Sequence, residues 1–116
     1  MHEYQWNIFW AKLDPARDSE QSGKRPVIVI SSEAINSSLP IVGVLPLTSM
    51  KKGRKIYSTE VFLSRKETGL EKDSISMSHQ IRVLSKNRLG EKCGEIRSSE
   101  IMEKIHQSTR VFLDME

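Results

Sequence analysis

The residues of this chain best suited to acting on an anion fall between Asp18 and Ser31, in the run Asp-Ser-Glu-Gln-Ser-Gly-Lys-Arg-Pro-Val-Ile-Val-Ile-Ser. Its first half is polar and turn-rich. Its second half, Val27 to Ile30, is a continuous β-branched run that predicts a buried strand. Pro26 has no N–H and suits the first residue of that strand. It also holds the preceding Arg25 extended. The expected result is one cation fixed at the mouth of a rigid strand, beside a loop rich in hydrogen-bonding groups. Such a place can hold an anion.

Hydroxyls and further cations recur downstream. Thr48 and Ser49 close an apolar stretch, and Lys51, Lys52, Arg54 and Lys55 crowd the loop that follows. A basic loop directly after a strand end suits salt-dependent contacts with phosphates. The net charge of +3 permits a nucleic-acid partner without requiring one. His79 carries the side chain that titrates nearest neutrality, so it is a candidate for proton transfer or for contact with a base. His2 and His106 lie away from these stretches. No His, Asp or Glu cluster has metal-ligand spacing. The single Cys93 leaves no internal disulfide or Cys-based zinc site, and it is expected to pack as a small apolar residue. No metal or cofactor is expected.

The elements that must position these groups follow from pattern. Tyr4 to Leu13 places apolar residues at even positions, with aromatic content that favours a strand ended by Asp14-Pro15. Residues 16–25 form a loop of about ten residues, long enough to be a candidate binding loop. Ser31 to Ser38 is polar with room for a short helical turn. Leu39 to Thr48 is an apolar strand that Gly43 can bend. Thr59 to Leu63 is a short strand, followed by a turn in which Gly69 supplies a positive φ. Asp73 to Ser78 alternates Ile75 and Met77 with serines, a half-buried strand. His79 to Leu84 is expected to continue as strand, with Ile81 and Val83 packed and Gln80 and Arg82 on the other face. Lys86 to Leu89 is a turn or short helical piece, and Lys92 to Ile96 a weak strand. From Ser98 the period lengthens. Ile101, Met102, Ile105, Phe112 and Leu113 share a helical stripe, with Ser98 or Ser99 as N-cap and Glu100 and Glu103 near the positive end. The spacing predicts one amphipathic helix over Ser99 to Leu113.

At 116 residues, the chain is expected to be a single domain of mainly β (α+β) class, a small curved barrel with a terminal helix. The apolar share of 37% and charged share of 28% suit a globular protein. No apolar run approaches ~20 residues, and the first residues lack the basic-then-apolar order of a signal peptide. A cytoplasmic protein without membrane contact is the expectation.

Several stretches together resemble the MazF/PemK toxins, small bacterial endoribonucleases of toxin–antitoxin systems. They are Ser19-Glu20-Gln21, Gly23-Lys24-Arg25-Pro26 before an apolar strand, Pro46-Leu47-Thr48-Ser49, Gln80-Ile81-Arg82 and Lys86-Asn87-Arg88-Leu89. The resemblance implies an SH3-like barrel of the PemK/CcdB type and a homodimer. It implies Arg25 and Thr48 as catalytic, and metal-independent cleavage of single-stranded RNA at a short sequence. Attack by the 2′-OH would leave a 2′,3′-cyclic phosphate and a 5′-OH. Since a guanidinium stays protonated at neutral pH, an electrostatic role suits Arg25 better than that of formal base. Ser19, Glu20 and Gln21 would meet unstacked bases, with Gln80 and Arg82 on the same surface. Lys51, Lys52 and Arg54 would contact phosphates, and Lys24 and Ser49 would also bind the RNA. An antitoxin would lay an acidic segment over the same cations, and DNA would be met only through that antitoxin. This chain departs from the usual pattern twice. Trp6-Asn7 stands where a Gly-Asp pair is usual, and His79 where an acidic residue is. The main alternative is a non-catalytic toxin like the gyrase-poisoning CcdB proteins, which share the barrel. A metal-dependent hydrolase is a weaker one.

Overall fold

A computed structural model describes residues 2–13, 20 and 23–116. Strands β1 (Asn7–Lys12) and β2 (Lys24–Val29) come first, then helix α1 (Glu33–Ser38) and strand β3 (Ile41–Ser49). Strand β4 (Glu60–Leu63), helix α2 (Arg65–Thr68), strands β5 (Ser74–Met77), β6 (Arg82–Ser85) and β7 (Leu89–Glu95), and helix α3 (Ser99–Leu113) follow. The strands form one antiparallel sheet in the order β4-β5-β3-β2-β1-β7, with β6 also on β3. The expected curved β architecture with a terminal helix is present. The sheet stays open, because β4 and β7 at its ends form no ladder with each other.

β3 is the hub because it changes partner along its length. Its first half, Ile41 to Val44, pairs with β6, and its last three residues, Leu47 to Ser49, pair with β5. Pro46 sits at the junction of these two ladders, paired with Val27 where the β2–β3 ladder ends. Both faces of this central region are buried. Ile28, Leu45 and Leu47 join one core under α3 with Ile105, while Val27, Val29, Val42 and Val44 join a second with Leu84. Two-sided burial explains why residues 27–30 read as an unbroken apolar run.

Caps fix the helices as local sequence dictates. Ser98 accepts the Ile101 N–H at the start of α3, and Ser32 accepts the Ile35 N–H at the start of α1. Gly69 takes φ +80° to end α2. Glu33 gathers the backbone N–H groups of Glu3, Tyr4 and Gln5, and so ties the leading residues to α1. Burial alone would raise its pKa, but these donors outweigh that and hold it below the usual carboxylate range.

Several expectations fail for identifiable reasons. β2 begins at Lys24, so Pro26 lies inside the strand and Arg25 belongs to it. The stretch after β5 is not strand: Ser78–Gln80 is a 3-10 turn, which resets the phase before β6. Leu84 is therefore the buried residue and Val83 is 62% exposed. The serines of β5 are as buried as Ile75 and Met77, because β5 is covered on both faces. In α3, Ile105 and Ser108 face the core, and the Ser108 hydroxyl lies 2.7 Å from that of Ser78. Phe112 and Leu113 remain exposed beyond the end of the packed face.

Trp6 occupies the left-handed region at φ 69°, a conformation natural to glycine. Strain of about 1–2 kcal/mol is expected there. Surroundings hold it in place: its N–H donates to Val29 and its carbonyl accepts from Ile96, both at 2.8 Å. The ring is buried against that of His106, with centroids 5.2 Å apart. Trp6→Gly is expected to relieve the strain but lose about 3–5 kcal/mol of aromatic packing. The net loss is about 2 kcal/mol, measurable as a lower urea midpoint.

Candidate active site

The site arises where the β2–β3 ladder ends. That ladder pairs Val29 with Val44, Ile28 with Leu45 and Val27 with Pro46, and goes no further. Neither Pro26 nor Pro46 has an N–H with which to extend it. β2 continues against β1 alone, pairing Pro26 with Trp10 and Arg25 with Ala11. β3 continues against β5 alone, pairing Thr48 with Ile75. The strands part, and the interrupted register sets Arg25 and Thr48 on facing edges. Between them opens a cleft of about 620 Å³, lined by Lys24, Arg25, Thr48, Ser49, Trp10 and Lys72 among others.

The structure thus brings together Arg25, Thr48, Lys24 and Ser49 from the residues singled out in the sequence. A planar guanidinium across from a hydroxyl can bind a phosphoryl group and donate to an oxygen on which charge develops. The strand edges that carry them are held by ladders on their outer sides, so both groups sit on rigid backbone.

The remaining candidates lie elsewhere. Lys51 and Lys52 are exposed in the loop just after β3 and do not line the cleft. Arg54 is committed to a structural pair. Its Nη1 and Nη2 donate to Glu60 Oε1 and Oε2 at 3.0 and 2.8 Å, and the Tyr57 N–H donates to Glu60 Oε1 at 3.0 Å. Arg54, first among these, holds the Glu60 carboxyl below its usual range. The fork expected on phosphate therefore braces the base of the basic loop. His79 also stands apart from the cleft lining, with its Nδ1 2.9 Å from the Thr59 hydroxyl. Arg82 donates from Nη1 to the Leu13 carbonyl at 3.1 Å, which ties β6 to the end of β1. Gln80 sits in the 3-10 turn, and Glu20 is exposed. Ser19 and Gln21 lie outside the described residues.

Sequence reasoning missed several residues of the cleft. Trp10, Leu70, Glu71 and Lys72 line it, the last three from the connection between α2 and β5. The turn signal at Gly69 located that connection but carried no hint of its neighbour. Cys93 lines the cleft too, half-buried, and burial pushes its thiol up. Among the described residues, no three His, Cys, Asp or Glu side chains converge as metal ligands. No helix among them is long and apolar enough to cross a membrane.

The open antiparallel sheet with its terminal helix is the fold of a class of small toxin. The chain belongs to the PemK-like, MazF-like toxins of type II toxin–antitoxin systems, a family it matches over residues 4–113. It is 33% identical to the Bacillus subtilis endoribonuclease EndoA over 92% of this chain and 90% of that protein. It is 37% identical to the endoribonuclease MazF of Staphylococcus epidermidis, over 84% of this chain and 80% of that one. A solved mycobacterial endoribonuclease, in complex with its cognate antitoxin, shares the fold. The TM-score is 0.78 at 20% identity, over 97% of this chain and 96% of that chain.

Proposed function

We propose that this chain is a metal-independent endoribonuclease toxin that cuts single-stranded RNA in the cleft between β2 and β3. The observation that carries it is the pair Arg25 and Thr48, set on facing strand edges by the interrupted register. In the reaction, the 2′-oxygen bonds to phosphorus as its proton leaves. The P–O5′ bond breaks and the departing oxygen takes up a proton. Arg25 stabilises charge on the phosphoryl oxygens, and the Thr48 hydroxyl donates to them or to the leaving oxygen. Lys24 and Ser49 hold the flanking backbone, with Lys51 and Lys52 adding salt-dependent attraction outside. Ser19, Glu20, Gln21 and Gln80 are proposed to meet bases.

The protein would act in the cytoplasm as a homodimer and be silenced by an antitoxin whose acidic segment competes for these cations. The relatives named endoribonucleases support this over a gyrase-binding toxin. Incubation with single-stranded RNA in EDTA tests the proposal. Cleavage that leaves cyclic phosphate and 5′-hydroxyl ends is expected. Cleavage only after a divalent metal is added, or 5′-phosphate ends, would refute it.

A further inference from the structure

We infer that Trp10 is a stacking platform that holds one RNA base beside the scissile phosphate, an assignment that rests on the cleft as the site of cleavage. Trp10 is 37% exposed and belongs to neither core, although it sits in a strand whose neighbours Ile8 and Ala11 are fully packed. It lines the same cleft as Arg25 and Thr48. Its cross-strand partner is Pro26, so it stands one strand spacing from the backbone that carries Arg25. The two side chains leave opposite faces of the sheet. Both reach the cleft because it opens at the sheet's parted edge. A strand of RNA wrapped over that edge would set its phosphate on Arg25 and a neighbouring base on the indole.

Two details favour a ligand over mere exposure. The Lys24 ammonium lies 5.7 Å from the indole centroid. It is a long, flexible cover that an incoming base can displace toward a phosphate. Behind the ring, Gly90 lets β7 approach closely: a Cβ there would meet the Trp10 carbonyl at 3.2 Å and the Trp10 Cβ at 3.7 Å. The backbone of Trp10 is thereby clamped while its ring stays open. Every base has a flat face, so this contact adds affinity and positioning without choosing the base.

The test uses an oligoribonucleotide that the wild-type protein cuts, with the scissile 2′-OH methylated so that it binds without reacting. A companion series makes each flanking nucleotide abasic in turn. Trp10→Ala is expected to weaken binding about ten- to hundredfold, and Trp10→Phe to restore most of it. One abasic position should weaken wild-type binding by a similar factor and leave Trp10→Ala no weaker. Unchanged binding by Trp10→Ala, or abasic penalties that multiply with the mutation at every position, would overturn the assignment. Arg25→Ala separates the two ideas. It should lose cleavage of the unmethylated RNA yet keep the same abasic pattern. If it cut normally while the pattern held, the role of Arg25 in the chemistry would fall and the stacking contact would stand.

Discussion

Arg25→Ala is expected to fold as the wild type does and to cut RNA about a thousandfold more slowly in single-turnover assays. Arg25 lies outside both core clusters and is half-buried at a strand edge paired only on its far side. Its removal therefore leaves the ladders and the cores intact. Rate is another matter. A preorganised donor aimed at developing charge contributes roughly 100- to 1,000-fold, and a charged two-pronged one should sit at the top of that range. Arg25→Lys should recover only a small part, since an ammonium keeps the charge but loses the planar fork. Matched circular dichroism and melting curves would confirm the fold. A rate within tenfold of wild type would remove Arg25 from the chemistry.

Arg54→Ala is expected to show the opposite profile, with a large loss of stability. Glu60 is 1% exposed and Arg54 29% exposed in their ion pair. Removing the arginine strands a buried carboxylate, a change that costs about 3–5 kcal/mol. Because Arg54 reaches water, the low end applies, about 3 kcal/mol, or roughly 10 °C in melting temperature. The pH dependence gives a sharper check. In the wild type, the Glu60 pKa is lowered from 4.5. Its contribution is thus complete above that value and fades as pH falls through the folded one. In the variant, burial is opposed only by the Tyr57 N–H and by His79, so the Glu60 pKa rises relative to the wild type and acid relieves the stranded charge. The gap between the two proteins should therefore be widest at pH 7 and narrow toward about pH 4 in urea titrations. A gap that stays constant over this range would show that Glu60 is not the source of the loss.

The limits of α3 were legible because cap and stripe agree: Ser98 precedes Ile101, Met102 and Ile105 at helical spacing. Arg25 and Thr48 were named as a pair through the family resemblance, and both line one cleft. Their convergence depends on a ladder that stops between two prolines, which no local window displays. Arg54 looked like one more loop cation. Its partner, six residues on, is aimed at it only because β4 is fixed against β5. The alternation of Ile81 and Val83 imitated a strand, but the turn at Ser78–Gln80 shifts the phase by one residue and buries Leu84 instead. Trp10 shares the even-numbered alternation of Trp6 and Ile8, a pattern that marks a strand and no site. β1 shifts register against β7 between Ile8 and Phe9 and again between Phe9 and Ala11, and Trp10, inside the second shift, lines the cleft. A tryptophan at positive φ has no signal of its own, since intrinsic preference argues against it.

The change of partner at Pro46 has an evolutionary consequence. The half of the sheet that presents Arg25 takes its alignment from β1 and β6, whereas the hairpin of β4 and β5 and the lysine-rich loop before it hang from the other end of one strand. Drift in that hairpin can remodel what meets the nucleotides without disturbing the frame that aims the guanidinium. Thr48, which β5 holds, would move with the hairpin, so only the Arg25 half of the proposed site is insulated in this way.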